Sequence, residues 1–86
     1  MTIKTLELIH RLLIDDYGRK KSEEADAEAK MKQVKDDLDR AVYVDKEDDT
    51  FAERMAHTAA ESVYFNAHRE SVEALRALND FESADF

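Results

Sequence analysis

The chain has no cysteine, no proline and no tryptophan, and its 86 residues include a single glycine, Gly18. Without cysteine, neither a disulfide nor a thiolate metal site can staple a small fold. Without proline, and with one glycine, almost nothing in the chain ends a helix or opens a tight turn. No apolar run approaches the roughly 20 residues that a bilayer-spanning helix needs. The amino terminus carries no basic stretch followed by a small-residue cleavage site. A soluble, cytoplasmic chain with no membrane partner is therefore expected. Chemistry-bearing motifs are missing too: there is no glycine-rich phosphate loop, and no serine, histidine and carboxylate at a recognised catalytic spacing. The expectation is a protein that is not an enzyme and uses no cofactor.

What is present is charge and helix formers. Charged residues make up 40% of the chain, 13 basic against 21 acidic, for a net charge of -8. Alanine, leucine, glutamate, lysine, arginine and methionine dominate, and all favour helix. From Ile3, alternating steps of three and four residues pass through Leu6, His10, Leu13, Tyr17, Lys20, Glu24, Ala27, Met31, Val34, Leu38 and Ala41. Nine of these twelve positions are apolar or aromatic, so the pattern is a heptad seam, which belongs to a helix packed lengthwise on another helix. Its polar members are His10, Lys20 and Glu24, and the seam is weakest around the last two. Asp26 with Lys30, Glu28 with Lys32 and Asp36 with Arg40 add favourable acid-to-base pairs four residues apart.

Periodicity stops at Val44. Residues 44–50 hold four acids, Asp45, Glu47, Asp48 and Asp49, and form the turn between helices of about 3–43 and 51–81, all within one domain. Thr50 followed by Glu53 matches a capping box for the second helix. In that helix Ala52, Met55, Ala56, Ala59, Ala60, Val63, Ala67, Ala74, Ala77, Leu78 and Phe81 lie over one broad side, which is expected to meet the first helix. Tyr64, Phe65, Val72 and Leu75 form a second apolar group, so neighbours on two sides are expected. Residues Glu82 to Phe86 are expected to fray.

The fold expected is thus all-α: a long antiparallel helical hairpin, coiled-coil-like, that dimerises into a four-helix bundle. A three-helix bundle with a bend near Gly18 is the alternative, with Gly18 ending one helix and Ser22 capping the next. Unbroken heptad phase across Gly18 favours the hairpin. Folding about Glu47 sets Leu38 near Ala56, Met31 near Val63, Ala27 near Ala67, Tyr17 near Ala77 and Leu13 near Phe81. It also leaves the apolar amino-terminal stretch, which includes Leu8 and Leu12 off the seam, only partly covered. Such a patch marks an interface. A homodimer whose amino-terminal segments meet near its axis would cover it, with Ile3, Leu6, Ile9, Leu13 and Tyr17 as the self-association residues.

Function follows from surface rather than from chemistry. Glu53, His57 and Glu61 are spaced as metal ligands along one helix, but a half-solvated polar face is the expected role, and no metal site is assigned. His10 on the seam is expected to set register. Direct nucleic-acid binding is disfavoured by the net negative charge. Residues 19–43 are neutral, and the excess acid falls on the turn and the second helix. Asp45, Glu47, Asp48, Asp49, Glu53 and Glu61 are the candidate partner surface, suited to a basic protein. The expected function is that of an oligomerisation or adaptor protein; an acidic nucleic-acid mimic that inhibits a basic nucleic-acid-binding protein is the alternative. In size and plan the chain is similar to the helical-hairpin dimers built on a Trp-x-Gly turn, though its own turn has neither residue. Compact acidic helical chains of this length are also common products of bacteriophages and mobile elements.

Overall fold

A computed structural model describes residues 2–84. Helix α1 spans Ile3–Asp39, widens into a π-helical turn at Arg40–Val44, and is followed after a short link by helix α2, Phe51–Ser83. The two helices lie against each other as an antiparallel hairpin. At about 1.5 Å per residue the 37 residues of α1 account for most of the 64 Å length. The radius of gyration is 19.3 Å, against about 12 Å for a compact chain of this size.

The start of α1 is capped by Thr2, whose hydroxyl oxygen accepts the Thr5 amide at 3.1 Å. The helix then runs through Gly18, whose φ is not positive. A bend there is absent, and with it the three-helix alternative and the cap at Ser22. The reason is the one the heptad phase supplies: the seam keeps its register on both sides of the glycine. Every expected seam position from Leu6 to Ala41 is buried or half-buried, and only Ile3, beyond the reach of α2, is exposed. Of the expected surface pairs, Glu28 and Lys32 meet at 3.2 Å.

The link departs from expectation in its detail. Asp45 N–H donates to the Arg40 carbonyl and Glu47 N–H to that of Ala41, so α1 unwinds through wider turns before it stops. Lys46 then adopts φ 51°, the left-handed conformation that turns the chain back. The capping box does not form: Thr50 makes no side-chain cap bond, and Asp49 instead accepts the Phe51 amide at 3.0 Å. Glu53, the intended second half of the box, is drawn into the seam, half-buried.

The face that α2 turns inward is also a correction. Its seam is Thr50, Glu53, His57, Ala60, Tyr64, Ala67, Ser71, Ala74, Leu78 and Phe81, each buried or half-buried. Of the broad alanine side, Ala60, Ala67, Ala74, Leu78 and Phe81 are inside, whereas Ala52, Met55, Ala56, Ala59, Val63 and Ala77 are exposed. Two long helices stay in contact only along a heptad repeat, and the row that keeps this repeat in α2 includes glutamate, histidine and serine. Alanine, small and a good helix former, carries little information about side. The pairing is shifted accordingly, with Phe81 on His10 rather than Leu13: the rings stack with centroids 5.7 Å apart. Glu82 and Ser83 remain helical, while Asp85 and Phe86, expected to fray, lie outside the described residues.

Candidate functional site

The best-defined polar constellation sits where the seam looked weakest. Glu24 is 7% exposed and Ser71, across from it on α2, is 2% exposed. One Glu24 carboxylate oxygen lies 2.6 Å from His68 Nδ1 and 2.8 Å from the Ser71 hydroxyl, and the other accepts Lys21 Nζ at 2.7 Å. Tyr64 stacks beside His68, with centroids 6.1 Å apart. These bonds hold the Glu24 carboxyl down at about 2, with the Lys21 hydrogen bond the largest cause and those from Ser71 and His68 next. The same bond raises Lys21. Glu24 is therefore ionised at neutral pH, carries no proton, and His68 Nδ1–H must be the donor.

Serine, histidine and glutamate are the residue types of a hydrolytic triad, but their connections differ from one. A triad needs the imidazole on the serine hydroxyl, to take its proton, with the carboxylate behind the imidazole. Here serine and histidine both point at the same carboxylate oxygen. The serine proton is directed at Glu24 or at the His68 carbonyl, 2.9 Å away. This arrangement satisfies a buried charge and favours one alignment of α2 on α1, since a shift of one turn would cost Glu24 its His68 and Ser71 donors and leave it Lys21 alone. Lys20 to Glu70 at 3.2 Å marks the same register nearby. Sequence reading placed Glu24 on the seam but did not join it to His68 and Ser71. The signal was a polar residue on each seam at matching levels of the hairpin.

The other histidines lie apart. His57 Nδ1 is 2.9 Å from Glu61 within α2, and His10 Nε2 is 3.4 Å from Glu82. Among the described residues no group of three histidines or carboxylates is placed to hold a metal ion.

The residues expected to drive self-association are divided by the structure. Leu6, Leu13 and Tyr17 are half-buried in the seam, Ile9 is half-buried beside it, and Ile3 is 75% exposed. Leu8, Leu12 and Ile14 are exposed. Of the candidate partner surface, Asp45, Glu47, Asp48 and Asp49 are exposed together at the turn, next to exposed Tyr43, Val44 and Phe51. Glu53, in the first turn of α2 beside that tip, and Glu61, about two turns further along, are half-buried. No helix among the described residues is long and apolar enough to cross a membrane. Compared with protein-family models, with curated proteins and with solved structures, the chain matches none.

Proposed function

We propose that the chain is a non-enzymatic self-association module that works by protein–protein binding, two hairpins joining as a four-helix bundle. One observation carries this. Two helices alone bury little: among the described residues no large side chain is fully buried, and four of the six buried apolar residues are alanines. Large apolar side chains remain outside along the whole length, among them Ile3, Leu8, Leu12, Ile14, Phe65, Val72 and Leu75. An 86-residue chain without cysteine, and so without disulfides, needs further burial, and a second chain is the common source. The bundle is assigned to the homodimer because identical hairpins close on a twofold axis without leaving an open surface.

The acidic tip, with Tyr43, Val44 and Phe51 beside Asp45, Glu47 and Asp48, is the surface left for a basic protein partner once the helices are covered. The test is mass in solution. Sedimentation equilibrium at micromolar concentration should give twice the 9.9 kDa chain mass, and a single chain mass across the concentration range would overturn the proposal.

A further inference from the structure

All three histidines of the chain meet a glutamate carboxylate. His57 lies 2.9 Å from Glu61, four residues on in the same helix. The other two pairs join the helices: His10 Nε2 of α1 to Glu82 of α2 at 3.4 Å, and His68 Nδ1 of α2 to Glu24 of α1 at 2.6 Å. Histidine is the side chain whose charge ordinarily changes between pH 5 and 8. The hairpin is thus crossed at two levels by contacts whose strength depends on a proton.

The geometry at His10 is complete only when that proton is present. Its ring stacks on Phe81 with planes 16° from parallel. Nε2 is shut off from solvent and makes no hydrogen bond among the described residues. A bare Nε2 lone pair would face the Glu82 carboxylate, whereas a protonated ring sets its counter-charge there. The charged groups around it favour the same state. Glu7, three residues earlier on α1, adds a second carboxylate, and Arg11 falls on the outer side of the heptad. Asp80 and Glu82 are the acids near the end of α2, whose nearest base, Arg76, is exposed six residues before Glu82. At His68 the Nδ1–H bond to Glu24 is already made, and a second ring proton adds positive charge to it. Lys21, on the other Glu24 oxygen, opposes that charge; Tyr64 stacks on the ring, and Glu28, one turn beyond Glu24, is engaged by Lys32. Both imidazoles remain open to water elsewhere, their side chains 39% and 54% exposed, so protons exchange freely.

We infer that these two bridges form a pH-operated latch, with His10 and His68 as its proton acceptors, so that the hairpin is held more firmly at pH 5.5 than at pH 8. A proton bound more tightly by the folded hairpin than by the unfolded chain adds stability at the acid end of that range, and the addition is lost as pH rises. Glu24 stays ionised throughout, its carboxyl held at about 2, so the change belongs to the histidines. The contacts lie within one chain and act whether or not two hairpins associate. His68 with Glu24 ties the middle of the rod, and His10 with Glu82 fastens the last turn of α2. Loss of the outer bridge frees the end of α2, and with it Phe81, from the apolar start of α1. His57 is outside the latch: its carboxylate is on its own helix, and Lys32 and Lys35 are its charged neighbours on α1.

Protonation also removes negative charge from a chain of net charge -8, and the test separates the latch from that general relief. Urea denaturation at one protein concentration should give a folding constant roughly fivefold larger at pH 5.5 than at pH 8. His10→Gln and His68→Asn, which keep an uncharged N–H near the bonded nitrogen, should each lower that ratio, and the double variant should remove most of it. Glu82→Gln, an exposed change that leaves His10 to titrate, should lower it as far as His10→Gln does. His57→Gln removes the same charge with no bridge between helices and should leave the ratio as in wild type. Each variant is read by its ratio between the two pH values, so a uniform loss of stability does not enter. A wild-type ratio of one or less, an undiminished ratio in Glu82→Gln, or equal falls in His57→Gln and His10→Gln would overturn the latch.

Discussion

Glu24 shows how a single polar side chain can decide the alignment of two helices. Its carboxylate is buried, receives three donors, and is held at about 2 against an ordinary 4.5. Because the folded-state value lies below the unfolded one, the charged form favours folding. That contribution is complete above the unfolded value and is lost as pH falls through the interval from about 4.5 to about 2. Thermal melts of wild type and Glu24→Gln across that interval should converge as the pH drops, with wild type the more stable at pH 7. Equal melting temperatures for the two at neutral pH would show that the carboxylate contributes nothing as an anion. Glu24 was legible as a seam position from the three-and-four spacing alone. Its partners were not, because the spacing of α2 was read through its alanines, and Ser71 and His68 carry no apolar signal.

The elements themselves were largely legible. Heptad continuity placed α1 and took it through Gly18, and the acid-rich, aperiodic stretch placed the turn. Failure came at the cap, where two sequence rules compete. Thr50 with Glu53 is a capping box by pattern, but Glu53 stands on the heptad row of α2, and burial along that row draws its side chain inward. The Phe51 amide then goes to Asp49, one residue earlier, in the local side-chain-to-backbone turn that aspartate favours. Asp49→Ala should therefore lower stability by about 1 kcal/mol, and Thr50→Ala by only a few tenths. Urea denaturation of the two variants measures the difference; the reverse order would restore the capping box. Charge-reversal tests of the acidic tip should accordingly use Asp45, Glu47 and Asp48, leaving the cap intact.

At the scale of the molecule, length and burial pull against each other. A 64 × 15 × 13 Å rod exposes far more surface than a compact domain of equal mass, and its inner seam is narrow, alanine-rich and interrupted by Glu24, His57 and Ser71. The large apolar side chains left exposed on both helices are the counterpart of that thin core. If folding and association are one process, stability depends on chain concentration. With an unfolding enthalpy near 0.7 kcal/mol per residue, a dimer of this size should gain roughly 4 °C in melting temperature for each tenfold rise in concentration. Each chain carries a net charge of -8, so bringing two together concentrates like charge. Added salt screens that repulsion and should raise the midpoint further at fixed concentration. A hairpin that folds alone would melt at one temperature whatever its concentration. Differential scanning calorimetry over two decades of concentration, at low and high salt, separates the two behaviours.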